Sequence, residues 1–174
     1  MEQSGTPPAA TSRLRTRTVT WADPIAAARA GAAMSGIEYL QALADGRIAA
    51  PPFAALLGFE FDAIAPGRVV FAVVPGEHHY NPIGVAHGGL AATLLDSAMG
   101  CAVHSLLPAG RFYTSLEIKI NFVKAIKHDT GRLRAIGHVV HLGRTTATAE
   151  GRLIDAQDVI FAHGSTTCIV GEHA

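Results

Sequence analysis

Apolar residues follow two different periods along this chain, and the two periods divide it. In "SLEIKINFV", residues 115–123, Leu116, Ile118, Ile120 and Phe122 alternate with Glu117, Lys119 and Asn121. Period two sends the two sets to opposite faces and predicts a half-buried strand. "GRLRAIGHVVHLG", "RTTATAEGRLID" and "DVIFAHGSTTCIV" continue as three more strands, rich in Thr and Val. Turns fall at Leu142 and Gly143 and at residues 155–158. Upstream, "RVVFAVVP" predicts a strand, alone or in a pair, stopped by Pro75 and Gly76. "EHHYNPIGVAHGG" is broken by Asn-Pro and glycines and reads as a loop. "PPFAALLG" predicts a short turn or helix. "DPIAAARAGAAMSGIEYLQALADGRI" predicts one or two amphipathic helices, with Ile37, Leu40 and Leu43 near helical spacing.

Between the loop and the last strands lies "VAHGGLAATLLDSAMGCAVHSLL", residues 85–107, which predicts a helix apolar on every side. Such a helix must be covered all round. A curved antiparallel sheet wrapped around it would do much of that, with a partly polar outer face as "EIKIN" shows. The expected class is therefore α+β: one long central helix, a curved antiparallel sheet whose last four strands meander, and extra N-terminal helices. Residues 1–22 are expected to be an arm without fixed structure, 23–50 a helical segment and 51–171 the main domain.

A chain of 174 residues suits one domain with an added arm, and 49% hydrophobic residues support a sizeable core. Formal net charge is zero, which argues against a nucleic-acid partner. The first twenty residues lack an apolar run, so they do not read as a secretory signal. Residues 85–107 approach the length of a membrane span. Asp96, His104 and three glycines within them argue against one, and a cytoplasmic protein without membrane contact is expected. Cys101 and Cys168 lie far apart in apolar surroundings and read as buried thiols of a reducing compartment.

Asp96 interrupts the greasiest segment of the chain. A buried Asp is rare and costly unless paired, and no Lys or Arg lies within a turn or two on this helix. It is either a core acid held by hydrogen bonds from elsewhere or a functional group, since such acids gather at functional sites. At the helix start, the Gly88 and Gly89 N–H groups are among the first-turn donors that the helix leaves unsatisfied. The dipole there favours negative charge, as an oxyanion hole requires. Donors for a carbonyl oxygen, plus a carboxylate that attacks the carbonyl or activates water, suit acyl transfer to water. Yet eight residues separate Gly88 from Asp96, roughly 12 Å along a helix. Two antiparallel copies across a dimer interface would bring Gly88 of one beside Asp96 of the other. Ala91, Ala92 and Leu95 are candidates to line the acyl site, for either aryl or medium aliphatic groups. His78 and His79 are adjacent, and His138 and His141 face opposite sides of a strand, so no metal is expected. No Gly-x-Ser-x-Gly elbow occurs.

"NPIGVAHGGLAATLLDSAMG", followed by "SLEIKINFVKAI" and "GHVVHLGRTTATAEGRLID", resembles the PaaI-like hotdog-fold thioesterases over about residues 50–170, on the spacing Asn-x6-Gly-x7-Asp. The resemblance implies a hotdog fold and hydrolysis of acyl-CoA without cofactor or metal, in a site shared by subunits of a homodimer or dimer of dimers. It implies Asp96 as nucleophile or general base, with the Gly88 N–H polarising the thioester carbonyl. Asn81 would orient substrate or water, His87 would sit beside the carbonyl or the loop, and the Ser115 hydroxyl would position water. Lys124, Arg144 and Thr145 match positions that meet the CoA nucleotide and its phosphates. Ala125 stands where many members have proline. Each residue also has a plainer reading. Asn81 before Pro82 suits a turn, His87 suits an ordinary loop, Ser115 suits a strand edge, and Lys124 and Arg144 suit a solvated surface. Two other functions stay open: a non-catalytic acyl-CoA binding or sensing module, and a hotdog hydratase or dehydratase, whose His-x-x-x-Gly-x-x-x-x-Pro loop is absent.

Overall fold

The computed structural model describes residues 13–172; residues 1–12 of the arm and 173–174 lie outside the described residues. Residues 13–23 carry neither helix nor strand, but the Arg17 guanidinium donates to the carbonyls of Leu56 at 2.6 Å and Ala55 at 3.3 Å. Asp23 caps α1 (Pro24–Gly31) by accepting from the Ile25 N–H. α2 (Gly36–Ala44) opens where the Glu38 carboxylate accepts from both the N–H and the hydroxyl of Ser35. α3 (Pro52–Leu57) begins on proline and stops at Gly58, whose φ of +72° is the left-handed C-cap that favours glycine.

β1 (Phe59–Ala65) and β2 (Arg68–Val73) form a hairpin. A short turn at Glu77–His79 and the punctuated loop lead into α4 (Gly88–His104), the long central helix. Then come β3 (Arg111–Phe122), β4 (Leu133–Leu142), β5 (Thr146–Ile154) and β6 (Ile160–Glu172). The six strands make one antiparallel sheet in the order β1-β2-β4-β5-β6-β3. The expected four-strand meander is thus corrected: β4, β5 and β6 meander, while β3 sits at the far edge against β6. Alternation identifies a strand but not its neighbour. Residues 123–132 are too long a connection for a tight hairpin. Instead the Val123 and Lys124 N–H groups bond the Phe161 carbonyl as the chain passes β6.

The sheet curls around α4, with Leu94, Leu95, Met99 and Val103 fully buried between them. Gly137, Gly151 and Gly164 lie side by side on β4, β5 and β6. A Cβ added at Gly137 would stand 2.3 Å from the backbone of Ala98, so helix and sheet meet there backbone to backbone. On the outer face, Arg68, His138, Glu150, Ser165 and Lys119 form one cross-strand row, the polar face the pattern predicted. The sheet covers much of the helix, as expected, and leaves one face open. Within one protomer Asp96 is exposed, and its neighbours Ala92, Thr93 and Ser97 are only half-buried. The sheet runs out at β3, an edge strand with one side unpaired among the described residues. Leu116 (60% exposed), Phe122 (61%) and Val123 (59%) stand open there. Among the described residues no helix is long and apolar enough to cross a membrane.

Candidate active site

The loop into α4 is held at every step. Asn81 accepts from the N–H groups of Ile83 (3.1 Å) and Val85 (3.3 Å) through Oδ1, closing an Asx-type turn. Ala86 donates to the Ile126 carbonyl and His87 to the His79 carbonyl. His79 is itself buried, bridging the Gly76 N–H (3.0 Å) and the Leu57 carbonyl (2.9 Å) through its two ring nitrogens. His87 is the N-cap of α4: its Nδ1 accepts from the Gly89 N–H at 2.9 Å. That leaves the Gly88 N–H as a first-turn donor without an acceptor among the described residues. A Cβ added at Gly88 would lie 3.1 Å from the Phe122 ring, so glycine lets β3 lie close to the helix start.

Further along α4, Asp96 Oδ1 accepts from Ser115 Oγ at 2.8 Å. Ser115 pairs with buried Cys168 and so faces inward, and a bulge between Ser115 and Glu117 then shifts the register. The partner that a lone acid requires is therefore a strand hydroxyl and not a cation.

Asp96 stands at the junction of two hollows. One is an apolar cavity of about 400 Å³, with Ser97 and Cys101 beside Asp96, Tyr113 on β3, and Phe59 and Phe61 on β1. The other is an open cleft along β3, bounded by Ala92, Thr93, Ser115 and Ile118. Burial pushes the Cys101 thiol up to about 12 and the Tyr113 hydroxyl well above its ordinary value. Both stay protonated near neutrality. Ala91 and Leu95, expected to line an acyl site, are turned into the sheet and fully buried; only Ala92 reaches a hollow. On a helix seated in a curved sheet, the packed stripe is set by which side the glycine row approaches, and apolar character alone does not identify it.

Gly88, His87 and Lys124 share a third, shallow groove with Phe122. The Lys124 ammonium lies 5.0 Å from the centre of the Phe161 ring. Arg144 and Thr145 sit exposed on the turn before β5. Their carbonyls accept from Arg111 Nη2 (2.7 Å) and the Val170 N–H (2.9 Å), which docks the turn on the start of β3 and the end of β6. So one end of the protomer gathers Asp96 and Ser115, with Arg144 and Thr145 nearby at the start of β3. The other gathers Asn81, His87, Gly88 and Lys124. The two groups stand apart within the chain. Phe61 and Tyr113 were not singled out as site residues from sequence, although the alternation of Phe59 and Phe61 in "FEFDAIA" marks a strand with an aromatic face. Among the described residues no three His, Cys, Asp or Glu gather in a metal-binding group.

The family model described as the thioesterase superfamily matches residues 83–162. ComA2 of Bacillus subtilis, which carries the name of an esterase, is 31% identical over 116 residues, 66% of this chain and 90% of that protein. This chain belongs to the thioesterase superfamily. Human acyl-coenzyme A thioesterase 13 is 34% identical over 84 residues, 48% of this chain and 58% of that protein. Among solved thioesterase structures, a hypothetical thioesterase from Streptococcus pneumoniae, crystallised with coenzyme A, is 31% identical. Its match covers 67% of this chain and 88% of that one, with a TM-score of 0.60. The PaaI protein of the E. coli phenylacetic acid degradation operon superposes with a TM-score of 0.68 at 21% identity, covering 80% and 98% of the two chains. That likeness establishes the fold alone: the thioesterase hotdog, a long helix wrapped in a curved antiparallel sheet.

Proposed function

We propose that this chain is an acyl-CoA thioesterase whose sites are completed between two copies of itself. The observation that carries this is Asp96, held by Ser115 at 2.8 Å, at the mouth of an apolar cavity. The reaction adds water across the thioester bond: the C–S bond breaks, a C–O bond forms, and a carboxylic acid and the CoA thiol leave. Asp96 either takes the proton from an attacking water oriented by Ser115 or attacks the carbonyl carbon itself. The partner subunit's Gly88 N–H receives the developing oxyanion. His87 is a positioning residue; by capping Gly89 it leaves the Gly88 donor for substrate. Asn81 shapes the loop that holds both.

The edge strand supports the pairing. An antiparallel union of two β3 edges centred near Ile118 and Lys119 lays the Ser115 end of one strand beside the Phe122 end of the other. Asp96 and Ser115 of one copy then meet Gly88 and His87 of its partner, and exposed apolar side chains on β3 are covered. The same union places Lys124 of one copy on the side of Arg144 and Thr145 of the other, a cationic setting for the CoA phosphates. The acyl-coenzyme A thioesterase name among the relatives and the coenzyme A in the pneumococcal structure agree with this reading.

The test is release of free thiol from short, medium, long and aryl acyl-CoAs by the wild-type chain and by Asp96→Asn. Release that Asp96→Asn loses supports the proposal. Acyl-CoA binding without release would make the chain a binding module, and unchanged release in Asp96→Asn would remove the acid from the mechanism.

A further inference from the structure

We infer that α2, α3 and the segment between them select the acyl group, admitting an uncharged apolar chain of medium length and rejecting acyl groups that end in a carboxylate. This rests on the thioesterase reading above and concerns the same cavity. That cavity is closed on one side by α4, β1 and β2, and on the other by Leu43, Ala44, Ala50, Pro51, Phe53 and Ala54. The second wall lies wholly outside residues 83–162, the part of the chain the superfamily model matches. The acid and the surface facing it therefore come from different parts of the sequence.

The α2 part of the wall is fixed. Leu40 and Ala42 are buried, and the Gly36 N–H bonds the Leu107 carbonyl. A Cβ added at Gly36 would collide with the His104 carbonyl, so α2 sits hard against the end of α4. α3 is held at its end, through the Arg17 contacts to the Ala55 and Leu56 carbonyls and the His79 contact to the Leu57 carbonyl, while Phe53 nearer its start is 54% exposed. A rigid wall with an exposed flank sets a length limit without sealing the cavity.

Charge and volume fix the class. The charged residues lining the cavity are Glu60 and Asp96, both acidic; Arg132, which pairs with Glu60 at 3.0 Å, does not line it. A second carboxylate on the acyl group would meet Asp96 and Glu60 with no cation in the lining to pair with, since Arg132 is already engaged by Glu60 and Asp62. Apart from Ser97, the remaining lining is aliphatic and aromatic, with the Tyr113 hydroxyl and Cys101 thiol kept neutral. About 400 Å³ exceeds the roughly 150 Å³ cavity that accepts a benzene ring. At about 30 Å³ for each carbon-sized group, taking the volume of a water molecule as the guide, it holds roughly a dozen such groups.

The experiment measures kcat/KM across saturated acyl-CoAs from acetyl to palmitoyl, with succinyl-CoA as the charged probe. It uses the wild-type chain, Ala54→Phe, which narrows the cavity, and Leu43→Ala, which widens it. Neither residue belongs to the catalytic machinery. The expected wild-type profile peaks at medium length with succinyl-CoA at background. Ala54→Phe should lose about tenfold or more on the peak substrate while acetyl-CoA changes less than about twofold, since a misfit of one methylene in an apolar pocket is worth about tenfold or more. Leu43→Ala should move the peak to longer chains, and it reads the same wall should Ala54→Phe not fold. Thiol release with an unmoved profile, a loss uniform over all lengths, or succinyl-CoA turned over near the peak rate would overturn this inference alone. No release from any acyl-CoA by folded wild-type protein would remove the thioesterase reading and this inference with it.

Discussion

Ser115 Oγ donates to Asp96 Oδ1 across 2.8 Å, tying the edge strand β3 to the open face of α4. The bond fixes one carboxylate oxygen and leaves the other toward the hollows. Ser115→Ala is expected to lower kcat by roughly ten- to a hundredfold with little change in KM, since hydrogen bonds to charged groups contribute about 1.5–3 kcal/mol. Steady-state kinetics and a melting curve check it. Wild-type kcat in a folded Ser115→Ala protein would show that the serine does not position the acid.

The separation of Gly88 from Asp96 along α4 gives a test by complementation. Gly88→Pro removes the N–H; proline suits the first helical position, and the extended backbone of His87 suits the residue before it. The exposed Phe122 ring has room to yield to it. Gly88→Pro and Asp96→Asn homodimers should each be nearly inactive. Unfolded, mixed equally and refolded, half of the dimers are mixed, and each holds one intact site of two. Recovery to about a quarter of wild-type activity is expected for a shared site. No recovery, with mixed dimers confirmed by mass, would place both residues in one chain's site.

Arg144 stands exposed on its turn, with its carbonyl engaged by Arg111 and its guanidinium free of any ion pair found among the described residues. Arg144→Ala should raise KM for acyl-CoA about tenfold, the scale of one charge-assisted hydrogen bond to phosphate. A thioester truncated at pantetheine should change less than about twofold. Equal losses on both substrates would rule out a nucleotide contact.

His79 uses both ring nitrogens, one accepting from Gly76 and one donating to Leu57, so the fold requires the neutral ring. Burial holds its pKa below the ordinary 6.5. The unfolded chain therefore takes up this proton first as pH falls. The contribution to stability is complete above pH 6.5 and declines below it toward the lower folded value. The melting temperature should drop on acidification from about pH 7.5 to about pH 5, and drop less in His79→Gln. Parallel curves for the two proteins would show that His79 is not a source of the loss.

Gly137 faces the backbone of Ala98 with no room for a side chain. Gly137→Ala should cost about 3 kcal/mol or more, at the upper end of overpacking, because the neighbour is main chain and cannot turn aside. Urea unfolding measures it.

The pattern of the sequence reached the fold because alternation and the long apolar run are local signals. Strands β3 to β6 and helix α4 lie where periodicity put them, within a few residues at the ends. The place of β3 was not legible, since pairing is decided by where a connection travels and not by the strand's own residues. Asp96 stood out as an acid in an apolar run, but its exposure did not, because the run predicts coverage that a single protomer does not supply. Ser115 entered only through the resemblance, as a hydroxyl that positions water and not as the partner of Asp96, for a serine at a strand edge carries no signal of what it faces. The Asn81 turn was legible from Asn-Pro. The cap by His87 was not, since the residue stands in sequence only as the histidine before two glycines.

The exposed edge of β3 has a consequence for the single chain as it is made. Leu116, Ile118 and Phe122 lie along a strand whose outer edge pairs with no other strand among the described residues. That is the profile of a template for indiscriminate strand addition. Glu117 and Lys119 are set among them and act as gatekeepers, charges that an indiscriminate stack of strands would have to desolvate. A newly made protomer thus carries both the hazard and its guard on one strand. Substitutions that neutralise Glu117 or Lys119 should be felt first as aggregation during synthesis, in chains whose finished fold is sound.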